Sequence, residues 1–173
     1  MDVQIDIAIA SQSAGLPERA QLESWIGAAL HAGTRQPLSE AEVSVYLVDE
    51  AESRELNLRY RDKDKPTNVL SFPADLPPEL NLPLLGDLVV CAPVVEREAR
   101  EQGKTAQAHW AHMLVHGTLH LLGYDHIDPA EAEAMESLET RILTRLNYPA
   151  PYVETRPAEP HPDGPNLTRQ AKP

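Results

Sequence analysis

Residues 116–126 read HGTLHLLGYDH, three histidines in eleven residues of an apolar helix that runs into a turn. His116 and His120 are four apart, so on a helix both imidazoles project from one face a turn apart and can reach a single ion. Gly123 can take the left-handed conformation that stops a helix, letting the chain turn back and bring His126 to the same face. The spacing HxxxHxxxxxH therefore offers three nitrogen ligands and a fourth position open to water. That is the pattern of catalytic zinc, whereas structural zinc sites are usually closed by four ligands and rich in cysteine. His112 shares the face, but eight residues, about 12 Å of helical rise, separate it from His120. It reads as a packing residue or as one that supports a ligand. Metalloproteases carry HExxH, with the glutamate as general base; here that position is Gly117, which counts against peptide hydrolysis.

Outward from this helix, which Thr105 caps and which should end near Leu122, the chain alternates strands and helices. Val3, Ile5, Ile7 and Ile9 alternate with polar or small residues as strand one, with one face in the core. Pro17 opens a helix with Leu22, Trp25, Ile26, Ala29 and Leu30 on one face and Gly33 at its C-terminal cap. Val43, Val45 and Leu47 form strand two. Asp49 and Glu52 have capping-box spacing, and Leu56 and Tyr60 should form the inward face of the short helix that follows. Val69–Phe72 is strand three, a proline-rich loop follows, and Leu85–Cys91 is strand four. Pro93 starts a polar helix ending near Gly103. The last helix has Asp128 as N-cap, Pro129 at its first position, and Met135, Leu138, Ile142 and Leu146 on one face. The expected fold class is α+β, a small mixed four-stranded sheet packed with about five helices, over residues 1–148. From residue 149 seven prolines fall in twenty-five residues with almost no large aliphatics, the composition of a disordered tail.

At 173 residues the chain suits one domain, and Cys91, the only cysteine, sits in an apolar run, so no internal disulfide is possible. The N-terminus carries acids where a secretory signal has basic residues, and no apolar run nears the roughly 20 residues of a membrane span. A cytoplasmic protein with no membrane partner is expected. The formal net charge of −12 argues against a protein that coats nucleic acid nonspecifically. It does not exclude a nucleic-acid enzyme with local positive charge, and residues 54–65 (RELNLRYRDKDK) hold five of the fifteen basic residues.

Three segments, HWAHMLVHGTLHLLGYDH, NLRYRDKDKPTNVLSFP and GDLVVCAPVV, together resemble the YbeY family of bacterial rRNA maturation factors over residues 1–148. The resemblance implies a metalloprotease-like (zincin-like) fold and a single-strand-specific, zinc-dependent endoribonuclease with one zinc ion per chain. It implies His116, His120 and His126 as the zinc ligands and Arg61 as the functionally important arginine. It further implies maturation of the 16S rRNA 3′ end, ribosome quality control, and work near the small ribosomal subunit and its proteins.

On that reading zinc held by three imidazoles lowers the pKa of bound water toward about 7. A planar guanidinium, Arg61, suits the charge that builds on a phosphodiester under attack. The general base stays open. Asp125 and Asp87 are candidates to orient a ligand histidine. Tyr124 and Trp110 are either base-stacking or core residues, and Asn68 shapes its turn. Competing readings are a metallopeptidase-like hydrolase and a noncatalytic ribosome-assembly factor whose acidic surface meets basic ribosomal proteins. If RNA is the substrate, Arg54, Arg59, Arg61, Lys63 and Lys65 should form a basic groove.

Overall fold

Period-two alternation and helical stripes give the elements in the expected order. The computed structural model describes residues 1–36, 38–80 and 82–152. These form β1 (Asp2–Ile9), α1 (Arg19–Gly33), β2 (Glu40–Val48), α2 (Glu50–Arg61), β3 (Val69–Pro73), β4 (Leu84–Cys91), α3 (Ala92–Glu101), α4 (Ala106–Leu121) and α5 (Pro129–Arg145). The proline-rich loop holds one short 3-10 turn, Pro78–Leu80. The sheet order is β1-β2-β4-β3. β1 and β4 each pair parallel with β2, while β3 pairs antiparallel with β4 at the edge. This is the α+β class expected, with a mixed four-stranded sheet and five helices.

The two faces of the sheet are covered unequally. Val43, Val45 and Leu47 of β2, Leu88 and Val90 of β4 and Val69 of β3 join α1, α4 and α5 in the main core. On the other face Val48, Leu70, Val89 and Cys91 form a smaller cluster with Val94 of α3, Leu56 of α2 and Phe72. α4 is the centre of the main core: Trp110, Met113, Leu114, Val115 and Leu119 are all buried, as are His109, His112 and His116. Gly117 lets this helix approach the sheet. A Cβ there would lie 2.9 Å from Leu88 Cδ2 and 3.3 Å from Ser71 Oγ, and Ser71 Oγ donates to the Gly117 carbonyl at 3.2 Å.

Local signals hold where the chain chooses its own caps. Thr105 Oγ1 accepts from Ala108 N–H at 3.1 Å, and Asp128 Oδ1 from Glu131 N–H at 2.8 Å. They fail where tertiary contacts compete. Asp49 precedes α2 but makes no side-chain cap; its carboxylate accepts from Ser11 Oγ at 2.5 Å and Gln12 N–H at 3.0 Å instead. α2 turns Ser53 and Asn57 inward, while Leu56 is half-buried and Tyr60 is exposed. Ser53 Oγ and Asn57 Nδ2 donate to the carbonyls of Thr67 and Lys65, so this face holds the following loop rather than apolar core. Gly33 is the last residue of α1, which Thr34 caps, and its use is space. A Cβ there would come within 2.6 Å of Leu119 Cδ2 on α4. In β1 only Ile5 is buried and Ile9 is 61% exposed, because β1 is an edge strand and α1 packs chiefly on α4. Residues 149–152 lie against the domain, with Pro151 buried; the remainder of the proline-rich segment lies outside the described residues.

Candidate metal centre

His116 and His120 project from the last two turns of α4, and the chain reverses at Gly123, where φ is +103° and no atom crowds the position a Cβ would take. That turn returns His126 to the pair. Ring centroids stand 4.6 Å apart for His116 and His120, 5.1 Å for His120 and His126, and 5.9 Å for His116 and His126. One ring nitrogen from each lies within 4.8 Å of the others. The spacing-based grouping of His116, His120 and His126 is thus assembled in space.

The chemistry of these nitrogens suits a cation. The Nε2 atoms of His116 and His120 are buried and have no hydrogen-bond partner. Leaving such groups bare is costly, and a metal ion satisfies both. Burial, and then the neighbouring His116 and His126 rings, push His120 down to about 3, so it is neutral at pH 7 with its lone pair available.

Glu139 of α5 explains which His116 nitrogen is free. Its fully buried carboxylate accepts from His116 Nδ1 at 2.6 Å and from His112 Nε2 at 2.9 Å, and Tyr152 Oη donates to it as well. Burial alone would raise this carboxyl, but the electrostatic effect of the adjoining His116 ring and the two histidine hydrogen bonds hold it below the ordinary carboxylate range. An ionised carboxylate only accepts, so His116 carries its proton on Nδ1 and presents Nε2 to the cluster. The same carboxylate–histidine arrangement fixes ring orientation at many metal sites. His112, His116 and Glu139 are also close enough to form a metal-like triad, but they are joined to one another by these hydrogen bonds. His112 therefore supports a candidate ligand, as its spacing suggested.

Glu139 escaped the sequence reading, although a signal was there. It lies four residues after Met135 and three before Ile142, inside the buried stripe of α5. A glutamate in such a stripe needs a partner. Neither Asp125 nor Asp87, the carboxylates the sequence offers for this role, takes it. Asp125 Oδ1 accepts the backbone N–H of His126 at 2.7 Å and stands 3.9 Å from His126 Nδ1, so it shapes the turn. Asp87 is opposite Phe72 in the sheet register, on the face away from α4, and cannot orient a ligand histidine.

A cavity of about 330 Å³ opens beside the cluster, lined by Arg61, Ser71, Pro73, His120, Tyr124, Asp125 and His126 among others. Arg61 is the last residue of α2. Asp62 follows in the left-handed conformation (φ 60°), its N–H bonded to Leu58 O, and turns the chain away so that the guanidinium edges the cavity. The other two arginines of the basic segment are less available for an anion, while Lys63 and Lys65 are exposed. Arg54 forms two hydrogen bonds to Asp64, at 2.6 and 3.1 Å, and Arg59 lies 3.9 Å from Glu55. Arg61 makes no ion pair among the described residues. Tyr124 does not stack freely: its hydroxyl donates to Gly33 O at 2.8 Å and its ring lies under Arg35. Trp110 is core, and Asn68 ties its turn to Glu98 and to Val69 N–H.

A three-histidine cluster with a supporting glutamate, at a cavity edged by one arginine, is hydrolase-like geometry in a metalloprotease-like framework. Comparison with known proteins says which kind. The family model for "Endoribonuclease YbeY" matches residues 6–147. The chain belongs to the YbeY family. The Endoribonuclease YbeY of Cellvibrio japonicus (strain Ueda107) is 61% identical over 168 residues, spanning 97% of this chain and 93% of that protein. The solution structure of TM1509 from Thermotoga maritima superposes with a TM-score of 0.52 at 27% identity, covering 90% of this chain and 99% of the other. The name of the YbeY family implies a hydrolase that acts on RNA. No helix among the described residues is long and apolar enough to cross a membrane.

Proposed function

We propose that this chain is a zinc-dependent, single-strand-specific endoribonuclease of rRNA processing, acting at the 3′ end of 16S rRNA and in ribosome quality control. It works in the cytoplasm with the small ribosomal subunit and its proteins as partners. The observation that carries this reading is the pair of buried, partnerless Nε2 atoms on His116 and His120, beside His126 and a cavity edged by Arg61.

His116, His120 and His126 would hold the ion. The chemistry a bound zinc ion supplies is acidification of water toward neutral pH and polarisation of a phosphoryl oxygen. The chain's own groups do the rest. Glu139 keeps the His116 proton on Nδ1 and so directs Nε2. Arg61 binds and orients the phosphodiester, its fixed charge facing the oxygens on which negative charge develops. Asp125 is the carboxylate among the described lining residues and serves as proton acceptor. Gly117 stands where a peptidase has its glutamate, and its contact with Leu88 and Ser71 leaves no room for one.

A second reading, a noncatalytic assembly factor, draws on the net charge of −12 and on the pairing of Arg54 and Arg59 with acids. Metal content and cleavage of single-stranded RNA, measured together for wild type, His116→Ala and Arg61→Ala, separate the two. Zinc near one per chain in wild type and Arg61→Ala, with cleavage lost in both variants, supports the enzyme. Trace cleavage surviving both substitutions points to a contaminant and to the assembly factor.

A further inference from the structure

The sheet face opposite α4 carries a second cavity, of about 380 Å³, lined by Tyr46, Glu52, Leu56, Tyr60, Phe72, Asp87 and Val89. Its floor follows from strand register. Tyr46 pairs with Val89 and Ser44 with Asp87 across β2 and β4, and Asp87 pairs with Phe72 across β4 and β3. Tyr46, Asp87 and Phe72 therefore stand together on one face. Tyr60 of α2 forms the wall, edge-on to Phe72 with ring centroids 5.1 Å apart. Two of these aromatics are unusually open for their size, Tyr46 at 40% and Tyr60 at 56% exposed. The carboxylates of Asp87 and Glu52 have no hydrogen-bond or ion-pair partner among the described residues.

This cavity lies across one strand edge from the candidate active site. Ser71 and Pro73 line the metal-side cavity, while Phe72 between them lines the other. Arg61 lines the first and its neighbour Tyr60 the second. Only edge strand β3, about 4.8 Å wide, separates them. A single RNA strand whose phosphate lies at Arg61 can pass around that edge, and its adjoining base then meets the aromatic cavity. A base paired in a duplex cannot enter it. The mixture of groups is also selective. Phosphates are repelled by Asp87 and Glu52, whereas aromatic rings welcome any base face and acceptor-only carboxylates favour bases whose edge donates. The Watson–Crick edge of guanine offers two adjacent N–H donors, and that of uracil one between two acceptors.

Resting on the endoribonuclease reading, we propose that the Tyr46–Tyr60–Phe72–Asp87 cavity binds an unpaired base next to the scissile phosphate, guanine in preference to uracil. It is a substrate-specificity site that supplies part of the single-strand requirement.

The test uses the full-length, zinc-loaded chain with fluorescent eight-nucleotide RNAs, all-uridine or uridine with one guanosine at each position in turn. Affinity is read by anisotropy and cleavage by gel. A guanosine at one register should tighten binding by about tenfold, consistent with one good contact pair. Asp87→Asn should bring that preference to within about twofold, because one acceptor-only carboxylate is replaced by an amide that can also donate to uracil. Tyr46→Ala and Tyr60→Ala should weaken both oligomers by about five- to a hundredfold, with Tyr→Phe variants restoring binding. Asp87→Asn is nearly isosteric, so the preference remains measurable if an alanine variant folds poorly. Wild-type cleavage with no guanosine preference, and no effect of these substitutions on affinity, overturns the base site alone and leaves the face to a protein partner. A wild-type chain that neither binds nor cleaves RNA overturns the endoribonuclease reading and the base site with it.

Discussion

Helix α4 carries two kinds of histidine within sixteen residues. In its first half His109 and His112 are buried and each has a carboxylate partner, Glu98 at 2.8 Å and Glu139 at 2.9 Å. At its end His116 and His120 are also mostly buried, yet their Nε2 atoms have no hydrogen-bond partner among the described residues, and the two rings converge with that of His126. His112 Nδ1 is also buried without a hydrogen bond, so what sets the end of the helix apart is that its open nitrogens converge with those of two other imidazoles. An imidazole satisfied by a carboxylate stabilises the fold, and one left facing other imidazoles is built to meet a cation. Glu139 joins the two classes, holding one ring from each.

The comparison breaks most sharply at the ligands. His120→Ala should abolish stoichiometric metal binding and lower RNA cleavage by more than about a hundredfold, beyond the ~10–100-fold typical of losing an outer partner. His109→Ala should keep its metal and lose stability instead. Metal analysis and thermal melts on both variants would reverse the assignment if His109→Ala lost zinc and His120→Ala did not. Arg61→Lys keeps the charge but not the planar fork, and we expect cleavage to fall about tenfold or more with metal content unchanged. An equal loss of zinc would make Arg61 a structural residue.

Glu139→Gln sharpens the link between the classes. It keeps the shape but cannot accept both N–H groups as an anion, so metal affinity measured by chelator competition should weaken about 10–100-fold. Unchanged affinity would reduce Glu139 to a packing group. His112 also predicts an acid response of the metal-free protein. Burial, outweighing the Glu139 hydrogen bond, pushes His112 down to about 4 from an unfolded value of 6.5. Between those values the unfolded chain binds a proton that the native chain refuses, so stability falls as pH drops from 6.5 toward 4 and is flat above 7. Below 4.5 Glu139, ionised in the native state, adds loss in the same direction. Denaturant midpoints at pH 7.5 and 5.5 check this, and a midpoint that rises in acid contradicts it. Gly117→Ala is the smallest effect. Its Cβ must push Leu88 and Ser71 aside, at about 1–3 kcal/mol in an unfolding titration.

Much of this was legible because it is local. Thr105 and Asp128 cap their helices as the sequence indicates, and β4 and α5 fall within a residue of their patterns, while β2 begins three residues before Val43. The misreadings are sites where another element made the better offer. Asp49 has the spacing of a cap, but the Ser11 hydroxyl and Gln12 N–H from the β1–α1 loop claim its carboxylate. Gly33 has the position of a C-terminal cap, but Thr34 takes that place and α4 needs the space a side chain at Gly33 would fill. Asp87 has the chemistry to orient a histidine and stands on the wrong face of the sheet, because strand alternation puts it opposite Phe72.

By itself the sequence determined the histidine trio, since a four-residue helical step and a glycine-ended helix are set by backbone geometry within eleven residues. It also determined the order of strands and helices, through periodicities that each segment carries alone. Only the tertiary structure decided that Glu139, nineteen residues beyond His120, selects the free nitrogen of His116. It alone brought Arg61, from a helix on the other face of the sheet, to the edge of the same cavity. Both depend on how α5 and α2 pack, and a packing angle is the outcome of many side chains interlocking, which no short stretch of chain specifies.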